Sequence, residues 1–330
     1  MRTRAGIVGH SGYSGAELVK LLRRHPHVEP VLVDHRTDAA GGSDGIERFA
    51  WSPAALAENR IAVLFLATPA EVSMELAPAA LEHGAKVVDL SGAFRLRTAE
   101  NYQRWYGAGH ARPDLLAEAA YGLPEFCRER IRHARLVSNP GCYPTAANLA
   151  LKPLLEAGII DRAAGVVCDA KSGVSGAGKK PSPRTHFSAV AENFSAYSVL
   201  DHRHVPEVLL TCALQEDEFS FTAQLLPLHR GILETIYFRS NQPLDSSAVV
   251  EVYRRQYERE PFLRVCYGGD MPDLHGVAHT NLCFLGVKAD PESRRVVVVA
   301  VIDNLVKGAA GQAIQNMNLL LGLEETEGLL

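Results

Sequence analysis

Residues 4–22 read RAGIVGHSGYSGAELVKLL. The run to Val8 is short and apolar, as a buried strand requires, and Gly9, Gly12 and Gly15 follow at intervals of three. Leu18, Leu21 and Leu22 then recur at helical spacing until Pro26 stops the pattern. A second apolar run, VEPVLVDH (28–35), comes next. Strand, glycine turn, helix, strand is half of a βαβ unit of the kind that holds dinucleotides. Its glycines let the backbone turn tightly and approach a pyrophosphate, whose charge meets the free N–H groups of the helix start. Gly9, Ser11, Gly12, Tyr13, Ser14 and Gly15 are therefore candidate cofactor ligands.

Working outward, the alternation continues through IAVLFLAT (61–68), AEVSMELAPAALEHG (70–84) and AKVVDLS (85–91). Apolar strands alternating with amphipathic helices imply an α/β domain with a parallel sheet covered on both faces. Beyond about residue 165 strands follow one another. Residues 219–230 run into 231–240, and 280–290 into 293–304, and both are expected to be antiparallel pairs. The second domain is thus α+β with a mixed or antiparallel sheet. The tail 306–323 has Ala310, Ile314, Met317 and Leu321 on one helical face, and Thr37–Pro53 is the longest expected loop.

With 330 residues and 47% hydrophobic content, the chain has enough core for two domains. Its net charge of −4 leaves no electrostatic footprint for nucleic acid or an anionic membrane, so the expected partner is a small molecule. The N-terminal apolar run breaks at Gly9, too early for a signal sequence. The strongest run, RVVVVAVI (295–302), is far shorter than a membrane span and reads as a strand. A cytoplasmic protein is expected. The six cysteines have neither paired nor regular spacing, which argues against disulfides and metal, and most should be inert core residues.

In an NAD site an acidic residue at the end of the second strand takes the ribose hydroxyls. Here Asp34 is followed by His35, Arg36 and Thr37. A guanidinium beside a hydroxyl suits a 2′-phosphate, so the cofactor is expected to be NADP(H), read by Arg36 and Thr37.

One cysteine stands apart. In SNPGCYPTAANLAL (138–151), a Pro-Gly turn leads from a strand into a helix with Ala147, Leu151, Leu154 and Leu155 on one face, which Pro153 should kink or end. Cys142 then sits at the helix start, where the macrodipole favours a thiolate. A thiolate in a chain with a dinucleotide site suggests exchange of hydride with a thioester.

The segments GYSGAELVKLL (12–22), VVDLSGAFRL (87–96), YGLPE (121–125), SNPGCYPTA (138–146), DAKSGVSGAGK (169–179), HRHVPE (202–207), RGILETIY (230–237) and DNLVKGAAGQAIQNMNL (303–319) together resemble the N-acetyl-γ-glutamyl-phosphate reductase family over nearly the whole chain. The resemblance implies the architecture of glyceraldehyde-3-phosphate dehydrogenase: a Rossmann NADP-binding domain of residues 1–141 plus the returning helix 305–330, and a catalytic and oligomerisation domain of residues 142–304. It implies NADPH-dependent reduction of an acyl phosphate to a semialdehyde through a thioester on Cys142, in arginine biosynthesis, by a homo-oligomer, either dimer or tetramer. The acid/base falls to HRH. Spacing does not choose between His202 and His204, and His204, beside Pro206, is favoured. The resemblance also nominates Glu125, Lys171, Ser172, Ser175, Arg203 and Arg230 for the substrate, and Ser91, Gly176, Asn304 and Gln312 for the cofactor. His10 in the glycine turn and His229 before Arg230 depart from the family's usual residues, so His10 is expected either to crowd or to contact the pyrophosphate, and His229 is nominated as an extra site residue. Competing readings are an aminoadipyl- or aspartyl-phosphate reductase of the same fold, a cysteine-dependent acyltransferase or hydrolase, and a non-catalytic NADPH sensor.

Overall fold

A computed structural model describes residues 2–35 and 45–330. The chain divides into two compact units, Met1–Gly141 with Ala309–Leu330, and Cys142–Gly308.

The first unit is built on seven strands: β1 (Thr3–Val8), β2 (Val28–Asp34), β3 (Arg48–Ala50), β4 (Ile61–Leu66), β5 (Lys86–Asp89), β6 (Ala120–Tyr121) and β7 (Leu136–Ser138). Their order is β3-β2-β1-β4-β5-β7-β6, and every pairing is parallel. Helices α1 (Tyr13–Leu22), α2 (Pro53–Glu58), α3 (Ala70–Glu82), α4 (Ala99–Tyr106), α5 (Pro113–Glu118) and α6 (Pro124–Arg132) connect them. Each apolar run identified in residues 4–91 became a strand or helix, because burial on both faces of a parallel sheet demands such runs. The strand order reverses beside β1, the position at which doubly wound sheets open a crevice at their strands' carboxyl ends. The expected loop Thr37–Pro53 is interrupted: Arg48–Ala50 pairs with β2, and the Ser52 hydroxyl caps α2 by accepting from Ala55 N–H.

The second unit holds β8 (Val166–Gly173), β9 (Ser195–Tyr197), β10 (Phe219–Leu226), β11 (Ile232–Arg239), β12 (Leu263–Val265), β13 (Cys283–Asp290) and β14 (Arg295–Ile302), in the order β12-β13-β14-β11-β8-β10-β9. The sheet is mixed. The expected 280–290/293–304 pair forms, with Asp290 opposite Arg295. The expected 219–230/231–240 pair does not: β8 lies between the two, parallel to β10 and antiparallel to β11. Proximity in sequence suggested a hairpin, but Cys168 and Ala170 of β8 are fully buried, and a place between two long strands satisfies both edges of this core strand.

Helices α7 (Cys142–Glu156), α8 (Phe187–Val190), α9 (Val205–Cys212) and α10 (Ser246–Tyr257) complete this unit. α7 runs through Pro153, where a break was expected. A proline lacks the N–H that would satisfy Leu149 C=O one turn earlier. Tyr257 of α10 donates its hydroxyl to that oxygen at 2.6 Å, so tertiary packing replaces the missing bond.

The tail forms a π-helical turn, Val306–Ala310, and then α11 (Gly311–Leu321). A single apolar face was expected, yet residues 311–320 are buried all round. Their amides are held within the first unit: Asn316 donates to Gly122 C=O at 2.9 Å, and Asn318 Oδ1 accepts from His25 Nε2 at 3.0 Å.

Candidate active site

The glycine turn is sterically obligatory. Gly9 has φ +80°, and a Cβ there would lie 2.2 Å from Ala67 C=O. A Cβ on Gly15 would lie 2.2 Å from Gly9 C=O, so only glycine lets the helix start approach the turn. Gly12 is the N-cap of α1 and provides no side chain to cap it. The first N–H groups of a ten-residue helix therefore point outward, ready for an anion. Ser11, Tyr13 and Ser14 flank this cradle.

His10 does not turn toward the cradle. Its Nε2 lies 3.0 Å from the Asp34 carboxylate, which also accepts from Arg48 Nη2 at 2.7 Å and from Arg48 Nε. The Arg48 guanidinium holds the Asp34 carboxyl below its usual range, and His10 adds to the effect. Arg36 and Thr37 lie outside the described residues. Ser91 follows β5, its hydroxyl donating to Asp89 at 2.8 Å and accepting from Ala93 N–H. Gln312 donates to Gly122 C=O at 3.0 Å, and its Oε1 is buried with no hydrogen-bond partner among the described residues. Glu125 is buried on α6, within 3.5 Å of Gln315.

The segment before Cys142 is clamped within the first unit. Asn139 C=O accepts from the buried Arg95 Nε at 2.8 Å, its Oδ1 accepts from Asn316 at 3.0 Å, and its Nδ2 donates to Ala309 C=O. Arg95 and Asn139 stood inside the quoted motifs, but no pattern of spacing revealed their partnership.

In the second unit Cys142 opens α7, half-buried, with eleven of the next twelve helical residues buried. It lines a cavity of about 740 Å³, together with Tyr143, Ser172, Gly176, Tyr197, His202, Arg203 and His204. Gly308 packs against Cys142: a Cβ there would lie 2.9 Å from Cys142 Cβ. The KGAAGQ segment is thus small at residue 308 to admit the cysteine.

The two histidines differ. His202 Nδ1 accepts the His204 N–H at 3.1 Å, and the His202 ring stands edge-on to Tyr143 and Tyr197. Burial, helped by the Arg203 charge, pulls its pKa down to about 4, so the ring is neutral near pH 7. His204 precedes α9, with Pro206 in its first turn. Tyr143 and Tyr197 pair at 3.2 Å, and burial raises both phenols' pKa, keeping them protonated donors.

Other nominated residues have structural partners. Ser175 accepts from Asn304 Nδ2 at 2.9 Å, and Asn304 Oδ1 accepts from Gly231 N–H at 2.7 Å. Lys171 is bound to Asp169 at 2.7 Å, and Arg230 to the fully buried Asp303 at 2.9 Å. Neither Lys171 nor Arg230 lines the cavity. His229 lies outside it too, its carbonyl accepting from Ser175 N–H. Gly176 belongs to the cavity wall of the second unit, where a Cβ would crowd Ser172 Oγ at 2.8 Å.

Comparisons with known proteins agree with this division. Residues 4–134 match the model of the semialdehyde dehydrogenase NAD binding domain, and residues 142–304 that of the semialdehyde dehydrogenase dimerisation domain. A protein of Symbiobacterium thermophilum named N-acetyl-gamma-glutamyl-phosphate reductase is 48% identical, over 100% of this chain and 98% of its own. One of the same name from Geobacillus kaustophilus is 45% identical over 98% and 97%. Among solved structures, aspartate semialdehyde dehydrogenase II of Vibrio cholerae shares the fold with a TM-score of 0.74 at 19% identity, covering 98% of this chain and 99% of its own. With a cysteine at a helix start, the glycine turn and full-length identity of this order, the chain belongs to the N-acetyl-γ-glutamyl-phosphate reductase family of semialdehyde dehydrogenases.

Proposed function

We infer that this protein reduces N-acetyl-γ-glutamyl phosphate to N-acetylglutamate semialdehyde and phosphate, at the expense of NADPH. The observation that carries the reading is Cys142 at the start of α7, opening into a cavity shared with His202 and His204. A hydrolase or acyltransferase would use such a pair, but it has no need of a glycine cradle in which a Cβ at Gly9 or Gly15 would collide with backbone.

The Cys142 thiolate attacks the acyl carbon, the carbon–oxygen bond to phosphate breaks, and phosphate leaves a thioester on Sγ. Bound NADPH supplies the hydride that takes this thioester to the aldehyde level. His204 protonates the carbonyl oxygen as it gains charge and takes the proton back as the carbon–sulfur bond breaks. His202, neutral and accepting the His204 N–H, positions that residue.

The cradle at Gly9, Ser11, Gly12, Tyr13, Ser14 and Gly15 fits a pyrophosphate, and the buried Gln312 Oε1 suits a carboxamide donor. NADP(H) is favoured because Asp34, the acid that would read unmodified ribose hydroxyls, is committed to Arg48 and His10. A homo-oligomer is supported by Val167, Tyr237 and Val297, which lie in one row across β8, β11 and β14; Val167 and Tyr237 are exposed. NADPH and thiolate chemistry suit a reducing compartment, which supports the cytoplasm as the location. Among the described residues no helix is long and apolar enough to cross a membrane.

The test compares N-acetylglutamate, aspartate and N-acetylaminoadipate semialdehydes in the oxidative direction with phosphate and NADP⁺. The highest kcat/KM belongs to N-acetylglutamate semialdehyde. Preference for either other aldehyde would move the enzyme to a sister reaction of the same fold.

A further inference from the structure

The residues lining the Cys142 cavity include three cations, Lys180, Arg184 and Arg203, and one carboxylate, Asp201. The substrate inferred above carries a phosphate and a carboxylate, two anionic groups at opposite ends of a five-carbon chain. Two of the cations nominated from motifs, Lys171 and Arg230, are already neutralised by Asp169 and Asp303 and lie outside the cavity. Among the described residues Lys180 and Arg184 have no such ion pair, and both side chains are exposed to the solvent the substrate would displace.

We propose that Lys180 and Arg184 form the phosphate subsite of this enzyme, and that Arg203 takes the carboxylate end. The assignment rests on the acyl-phosphate reading of the cavity. Lys180 and Arg184 stand on a loop that also brings Gly176, Ala177, Ser182 and Thr185 into the lining. A phosphate has three terminal oxygens and is best held by a fork-shaped guanidinium, a mobile ammonium and neighbouring hydroxyl or backbone donors. The Ser182 and Thr185 hydroxyls lie 2.9 Å apart, and the Thr185 hydroxyl also accepts Ser182 N–H, so this part of the loop is ordered locally. Arg203 stands between His202 and His204, next to the acid/base and away from that donor set in sequence. Its single guanidinium suits a carboxylate.

The experiment runs the reaction in the phosphate-consuming direction on wild type, Lys180→Met, Arg184→Met and Arg203→Met. Each of the first two raises KM for inorganic phosphate about tenfold, a loss of one charge-assisted contact in a solvated site. KM for the semialdehyde and kcat at saturating phosphate change less than threefold. Arg203→Met does the reverse, raising the semialdehyde KM. As an independent readout, inorganic phosphate slows iodoacetamide alkylation of Cys142 in wild type, and the protecting concentration rises about tenfold in Lys180→Met and Arg184→Met. An active enzyme whose phosphate KM and protection are unmoved by both variants would overturn the subsite alone. A wild-type protein that turns over none of the three semialdehydes, and whose Cys142 phosphate does not protect, would overturn the subsite together with the functional reading.

Discussion

Replacing Gly308 by alanine tests whether the nucleophile's position is set by contact. The added methyl would sit 2.9 Å from Cys142 Cβ and 3.4 Å from both Cys142 Cα and Asp303 C=O. Carbon atoms settle at about 3.5–4.0 Å, so Cys142 must retreat by roughly 0.6 Å or more, or the π-helical turn must open. Gly308 does not occupy the left-handed region, so the effect is steric and not conformational. Overpacking costs about 1–3 kcal/mol, partly offset by about 0.4–1 kcal/mol from the reduced freedom of the unfolded chain. Thermal stability therefore falls by only a few degrees. Catalysis suffers more, because displacing a reacting atom by about 1 Å costs on the order of a hundredfold, and about 0.6 Å should cost on the order of tenfold in kcat. The assay pairs steady-state kcat with the alkylation rate of Cys142, followed by peptide mass spectrometry so that the other five thiols do not intrude. Gly308→Ser should be at least as severe. Wild-type kcat and alkylation in Gly308→Ala, within twofold, would refute the claim that this glycine places the cysteine.

Tyr257→Phe leaves Leu149 C=O without the donor that replaces the proline's missing N–H, and should lower unfolding free energy by about 1–3 kcal/mol in a denaturant titration while leaving KM unchanged. Gly15→Ala drives a methyl into Gly9 C=O, so NADPH affinity measured by fluorescence should drop more than tenfold with Cys142 alkylation unaffected. His202 is depressed to about 4 in the folded state against about 6.5 unfolded, so its contribution to stability is complete above pH 6.5 and is lost as pH falls toward 4. That slope, worth roughly 2–3 kcal/mol, should flatten in His202→Asn, which keeps an acceptor for the His204 N–H and so retains most activity. His25 and His110 are also lowered by burial and supply the residual slope in the variant.

The parallel sheet was legible because residues 4–91 state most of it locally: β1, β2, β4 and β5 are apolar runs, and the turn after β1 has the glycine its positive φ needs, whereas the short β3, RFA, gave no apolar signal. The second unit was legible only in part. β13 and β14 are joined by a short turn and pair as their sequence suggests, whereas β10 and β11 look equally adjacent and are parted by β8, whose place is decided by burial. Pro153 misled for a similar reason, since the hydroxyl that offsets it comes from Tyr257, more than a hundred residues away. At the site, Cys142 announced itself through its turn and helix start. His202 and His204 were indistinguishable by spacing, and burial with a backbone hydrogen bond separated them. Lys180 and Arg184 gave no signal at all, because a basic stretch in a Gly-, Ser- and Pro-rich segment has the composition of any solvated loop.

Turnover by the thioester route requires a covalent acyl group on Cys142. Mixing the enzyme with N-acetylglutamate semialdehyde and NADP⁺ in the absence of phosphate should produce a burst of NADPH close to one equivalent per active site. Intact-mass and peptide analysis should then place the N-acetylglutamyl group on Cys142, and phosphate should discharge it. Cys142→Ala should show neither burst nor adduct. A full burst in that variant, or an acyl group found on any other residue, would contradict the account.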